Sequence, residues 1–172
     1  MKSAFTIAGL MALISTAQAT IPDEYFEATV STSGPESSLS GYYLHSGPNV
    51  NGDTSVSLTS TGDDLLYIDE LNHLILVVNF VVVGAAYIDH DDHGLLKFNN
   101  DTQIVGNGEF TSSNTTHDFV KFDVNNFTLV AQNSAQWSWC PLDGAPNGTL
   151  ALGPTTGDGC QKIDSLSVAY TD

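Results

Sequence analysis

Basic side chains are scarce in this sequence of 172 residues. Arginine is absent, four lysines stand against twenty acidic residues, and the formal net charge is −16 at pH 7. Nucleic acids and anionic membrane surfaces repel such a chain. The composition therefore excludes polyanion binders as the expected class, and no nucleic-acid partner is predicted.

Long apolar runs are also missing. The most apolar stretch, residues 74–88, falls short of the roughly twenty residues that a membrane-spanning helix needs. It is dominated by β-branched residues, and acidic residues flank it on both sides. These features favour buried strands over a membrane helix, so we expect no membrane span.

The first nineteen residues have the pattern of a targeting segment. Lys2 supplies a positive start, residues 4–14 are mostly apolar, and Ala17-Gln18-Ala19 is a small-residue cleavage site. We therefore predict a cleaved signal peptide over residues 1–19. A single β-rich secreted domain is predicted to follow over residues 20–172.

Cysteine occurs only twice, as Cys140 and Cys160. In a secreted chain the simplest prediction is one disulfide bond between them. Closing a loop of about twenty residues in this way contributes roughly 3 kcal/mol in the chain-entropy model.

Four sites for N-linked glycosylation accompany the signal peptide. Each has the form Asn-x-Ser/Thr and predicts a surface position and a glycoprotein; the asparagines are Asn100, Asn114, Asn126 and Asn147.

The remaining sequence reads as short strands separated by turns. Residues 54–59 alternate with period two, and Asp69, Asp89 and Asp123 each start a polar turn between apolar runs. We expect an all-β, single compact domain of about ten short strands, as a closed barrel, a trefoil-like arrangement or a sandwich. Residues 141–159 are rich in glycine and proline, and we expect them to be irregular.

Three groups of residues suggest chemistry. The cluster from Asp89 to His93 offers oxygen and imidazole ligands for a metal ion, although a solvated acidic turn is favoured. His45-Ser46 would need a distant acid to act as a hydrolase, and no nucleophile-elbow motif is present. Two carboxylates could also serve a glycosidase, but no pair is singled out. No catalytic residue, metal site or cofactor is therefore predicted.

Trp137 and Trp139 lie two residues apart, so on a strand both rings share one face. An exposed pair would form a platform for stacking on sugar rings. Alternatively, both rings pack in the core beside the disulfide, and this is favoured for at least one of them.

The order of features over residues 117–163 resembles the C-terminal part of small secreted fungal cell-wall proteins, the PhiA-like phialide and hyphal wall proteins. The shared elements are a D-x-N-N hairpin, a Trp-Ser-aromatic sequence beside a cysteine, an Asn/Gly/Pro-rich loop, an Asp-Gly-Cys sequence and an Ile-rich tail. The first four stand here at Asp123–Asn126, Trp137–Cys140, 141–157 and Asp158–Cys160. Two earlier segments, Leu44–Gly47 and Asp69–Leu74, are similar to elements of that family too.

The resemblance implies a secreted, non-enzymatic structural glycoprotein, extracellular or located in the cell wall. Its implied partners are wall polysaccharide or other wall proteins, and it carries over no catalytic residue. Two alternatives remain open: a lectin-like carbohydrate-binding module using Trp137 and Trp139, and a small hydrolase with two carboxylates.

Overall fold

The structure is a computed structural model. It describes residues 24–33, 38–50, 52–89, 94–100, 103–105, 109–111, 119–132, 134–142, 145–153 and 159–171. The predicted signal peptide, residues 1–19, lies outside the described residues.

Strands account for most of the described chain, which contains fifteen of them. They are β1 (Tyr25–Ser31), β2 (Tyr43–Val50), β3 (Asp53–Thr59), β4 (Leu65–Ile68), β5 (Leu74–Val78), β6 (Val81–Asp89), β7 (Leu95–Asn99), β8 (Gln103–Val105), β9 (Glu109–Thr111), β10 (Phe122–Asn125), β11 (Thr128–Ala131), β12 (Trp137–Leu142), β13 (Ala145–Leu152), β14 (Gln161–Ile163) and β15 (Ser165–Thr171). The all-β prediction is confirmed.

Seven strands close into a barrel. Each is hydrogen-bonded antiparallel to the next in the ring β1-β4-β5-β6-β7-β3-β2 and back to β1. Of the three predicted arrangements, the closed barrel is therefore the one formed. Closure satisfies backbone groups that an open sheet would leave at its edges.

Further strands extend the ring on two sides. β15 pairs with β1 along its full length, from Tyr25↔Thr171 to Ser31↔Ser165, and β11 and β10 continue from β15. On the other side β13 pairs with β7, followed by β12 and β14. β8 and β9 pair with each other as a separate hairpin.

Alternating side chains divide the barrel strands between two apolar layers. Leu74 and Leu76 of β5 point into the main core, whereas Ile75 and Val77 join a second cluster with Tyr67 on the opposite face. Because both faces are covered, these strands read as continuous apolar runs rather than as an alternating pattern. The main core also contains the fully buried Trp137, Phe122, Leu96, Leu129 and Leu150.

Three local predictions were wrong. Residues 141–159 were expected to be irregular, yet β13 pairs there with β12 through Cys140↔Thr149 and its neighbours. The turn expected at 123–126 lies instead at Asn126 and Phe127. Residues Phe80 to Val82 were expected to be buried, but all three are exposed. They precede the part of β6 that pairs with β7.

Candidate functional site

Cys140 lies in β12 and is bonded to Cys160, which confirms the predicted disulfide. The Cys140 side chain is buried, and it packs in a small cluster with Leu95 and Ala151. The bond ties the start of β14 to the middle of β12, so the chain between them is held at both ends.

Trp137 and Trp139 share one face of β12, as the spacing predicts, but that face is the core. Their exposed fractions are 0% and 7%. The indole Nε1 of Trp137 donates a hydrogen bond to the Leu129 carbonyl, 3.2 Å away. The surface platform considered for these two rings is therefore not formed, and the alternative of core packing applies to both.

The predicted glycosylation sites that the structure describes lie at the surface. Asn100 is exposed, its Oδ1 accepts from the Thr54 hydroxyl at 2.8 Å, and its Nδ2 donates to the Gly52 carbonyl at 2.8 Å. Asn126 is exposed as well. Asn114 and the side chain of Asn147 lie outside the described residues.

Two hairpins of the domain end in the same unusual turn. The β5–β6 tip consists of Asn79 and Phe80, with φ of 51° and 63°, and the β10–β11 tip consists of Asn126 and Phe127, with φ of 49° and 58°. A two-residue loop with both φ values positive is the type I′ turn, for which Asn-Gly is the favoured sequence. Phenylalanine therefore stands twice where glycine would fit without strain.

Both tip phenylalanines project into solvent. Phe80 is 93% exposed and Phe127 is 68% exposed, and Val81 and Val82 extend the apolar surface at the first tip. Large aromatic side chains usually bury most of their area. The β5–β6 tip, with Val81 and Val82, is therefore the strongest candidate interaction surface among the described residues. This surface was not predicted from the sequence; the repeated Asn-Phe pair between apolar runs is the signal that could have identified it.

His45 has an acidic neighbour that the sequence did not identify. Its Nδ1 lies 2.9 Å from Oδ2 of the buried Asp64, although the approach is not aligned as a hydrogen bond. The same carboxylate oxygen accepts the Ser46 backbone N–H at 2.6 Å. Ser46 faces Val56 across the sheet whereas His45 faces Ser57, so alternation places the Ser46 hydroxyl and the imidazole on opposite faces. These two side chains do not form a nucleophile–base pair.

A polar network crosses the outer face of the barrel at β3, β6 and β7. The Tyr87 hydroxyl donates to Asp53 Oδ2 at 2.7 Å. The Lys97 ammonium donates to Asp89 Oδ2 at 2.8 Å. Tyr87 and Lys97 are directly opposed across the β6–β7 pair. Asp89 thus has a structural partner, whereas the rest of the proposed metal cluster, residues 90–93, lies outside the described residues.

The β4–β5 turn is organised by Asp69, as predicted for these hairpins. Its Oδ1 accepts the backbone N–H groups of Leu71 and His73, and its Oδ2 contacts His73 Nδ1 at 2.8 Å. This turn has a structural role, because the polar groups of Asp69 bind other groups of the same turn.

Burial, and then the neighbouring Tyr25 and Asp69, raise the pKa of Tyr67 to about 12.

Among the residues whose positions are described, no group of three or more His, Cys, Asp or Glu side chains is arranged to hold a metal ion. Within the same part of the chain, no helix is long and apolar enough to cross a membrane.

Comparison with known proteins finds no relative. No family model, no curated protein and no solved structure matches this chain.

Proposed function

We propose that this protein is a secreted, N-glycosylated, non-enzymatic structural protein of the extracellular space or the fungal cell wall. The disulfide between Cys140 and Cys160 is the observation that carries the proposal. Such bonds persist in oxidising compartments and are rare in the cytosol of mesophiles.

Several independent features support the same proposal. The segment 1–19 has the pattern of an export signal, and Asn100 and Asn126 present their side chains at the surface, where attached glycans face solvent. A net charge of −16 favours solubility and disfavours acidic partners. Its partners under this proposal are wall polysaccharide or other wall proteins.

Cell fractionation tests this function. The full-length chain with a C-terminal tag is expressed in a filamentous fungus, and medium, wall and cytosol are probed separately. We expect the protein in the medium or wall, beginning at Thr20, with a mass that falls after enzymatic removal of N-glycans. A chain found only in the cytosol, with its first nineteen residues retained, would overturn the proposal.

Carbohydrate binding is a second candidate, now resting on a different residue. The 93% exposure of Phe80 supports it, because an exposed ring can pack against the apolar face of a sugar. Co-sedimentation of the glycoprotein with insoluble β-glucan or chitin tests the idea. Phe80→Ser should reduce the bound fraction severalfold while Leu71→Ser, at another exposed apolar turn position, leaves it unchanged. Equal binding by all three proteins would remove this candidate.

A further inference from the structure

We propose that the first sugar of an N-glycan on Asn126 packs against the ring of Phe127, so that the β10–β11 tip is covered by the protein's own glycan. The inference rests on the proposed N-glycosylation. It assigns a role to a phenylalanine that is exposed and has positive φ.

The strain at this tip is the first step of the argument. Asn125 pairs with Thr128, which leaves Asn126 and Phe127 as the entire loop, both in the left-handed region. Asparagine tolerates that region, but phenylalanine does so only at a cost that glycine would avoid. A strained residue that persists needs a compensating contact. The ring is 68% exposed, so most of its surface is free to take a contact from outside the described polypeptide.

The nearest source of such a contact is the neighbouring side chain. Asn126 starts the sequence Asn126-Phe127-Thr128, which is an acceptor for N-linked glycans. A sugar attached at Nδ2 of Asn126 is tethered one residue from the ring, so its effective concentration there is high. N-acetylglucosamine has a face of C–H groups, which suits the face of an aromatic ring.

The backbone of the β10–β11 tip is fixed by hydrogen bonds to β15. The Phe127 carbonyl accepts the Val168 N–H at 2.8 Å, and Thr128 pairs with Ser167 of β15. Because the backbone beneath the ring is fixed by a neighbouring strand, little ordering is needed when the sugar packs.

The β5–β6 tip provides an internal control. It has the same Asn-Phe turn, with φ of 51° and 63°, but Val81 stands where the other tip has Thr128, so it cannot accept a glycan by this rule. Phe80 is the more exposed of the two rings, at 93%. Only the tip with the acceptor sequence should respond to glycosylation.

A double-mutant cycle of four proteins tests the contact between the sugar and the Phe127 ring. The chain is secreted from a fungal host behind a heterologous leader, so production does not depend on its own export signal. Glycans are trimmed enzymatically to one N-acetylglucosamine, and peptide mapping reports occupancy at Asn126. The four proteins combine Thr128 or Thr128→Val, which removes the acceptor, with Phe127 or Phe127→Ser. Urea denaturation gives the folding equilibrium constant of each.

We expect the sugar to raise the folding equilibrium constant roughly three- to tenfold when Phe127 is present, the range of an aromatic contact, and less than twofold in Phe127→Ser. Repeating the comparison in Phe80→Ser should preserve the full effect. Sugar protons should show upfield ring-current shifts in the NMR spectrum only when Phe127 is present.

Failure of this inference can be told apart from failure of the proposed function. An equal sugar effect with and without Phe127, or an unoccupied Asn126 in the secreted protein, overturns the glycan contact alone. A ring that instead binds wall polysaccharide, seen as co-sedimentation that is lost in Phe127→Ser, overturns it too. Retention of the natural full-length chain in the cytosol overturns the proposed function, whatever the cycle shows.

Discussion

The ammonium of Lys97 lies 2.8 Å from Oδ2 of Asp89, and the lysine side chain is only 3% exposed while the aspartate is 25% exposed. The pair joins the adjacent strands β6 and β7 on the outer face of the barrel. Removing one member of a buried ion pair leaves the other charge without its partner, which is costly.

Lys97→Met should therefore lower the free energy of unfolding by about 2–4 kcal/mol, somewhat below the range for fully buried pairs because Asp89 is partly solvated. Urea denaturation measures the change. Lys121→Met is the matched control, since that lysine is exposed, and it should alter stability by less than about 0.5 kcal/mol. Equal losses in the two variants would show that the ion pair contributes nothing specific.

The raised pKa of Tyr67 predicts that the stability of the domain depends on pH in the alkaline range. Its pKa is raised from 10.0 to about 12 in the folded domain, so between these values the unfolded chain releases a proton that the folded chain retains. Stability should fall as pH rises from 10 to 12, with the full contribution of Tyr67 present below pH 10. Tyr67→Phe should lose this pH dependence, because phenylalanine does not titrate. The stability of the natural protein relative to the variant, measured by urea denaturation across that range, should therefore decrease as pH rises. A constant difference would contradict the prediction.

Substitutions at Gly148 and Gly153 distinguish the energetic cost of backbone strain from the cost of steric contact. Both have positive φ, 76° and 89°, but a Cβ on Gly148 would lie 2.5 Å from the Cys140 carbonyl oxygen and 2.7 Å from Trp139 Nε1, whereas one on Gly153 meets nothing within 4 Å.

Gly153→Ala should cost about 1–2 kcal/mol from the left-handed conformation alone. Gly148→Ala should cost a further 1–3 kcal/mol or so, because the neighbouring strand and indole have to move. Thermal unfolding of the two variants measures the difference between their stability losses. The near-ultraviolet circular dichroism of Trp139 should change only in Gly148→Ala. Indistinguishable melting temperatures would count against this close packing.

The disulfide should supply a large share of the stability. Cys140→Ala combined with Cys160→Ala opens a loop with a sequence separation of 20, and we expect a loss of roughly 3 kcal/mol. Reductant should destabilise the natural protein by a similar amount and leave the double variant unchanged. Sensitivity of the double variant to reductant would point to a different cause.

Local signals in the sequence predicted much of the strand content. The alternation over Thr54–Thr59 corresponds to β3, and the Asp69 side chain caps the β4–β5 turn as expected. These features depend on neighbours within a few residues, which is why composition and spacing reveal them. The disulfide was predictable for a different reason, because two cysteines allow only one pairing.

Long-range features were not predictable in the same way. Whether Trp137 and Trp139 face solvent depends on what covers β12, and that is decided by how the other strands of the main core pack, which the spacing within β12 does not reveal. The partnership of His45 with Asp64 likewise arises only when β2 meets the segment before β4. Phe80 was misjudged because apolar residues usually indicate burial, and sequence does not reveal that β6 projects past β7.

The pairing of β1 with β15 determines when the domain can be completed. Tyr25 and Thr171 are cross-strand neighbours, and the Thr171 hydroxyl donates to the Tyr25 carbonyl across 146 residues of sequence. During synthesis β1 emerges first, yet one of its edges stays unpaired until β15 has followed. Contacts between such distant residues slow folding. Final assembly is therefore expected only after β15 has been synthesised.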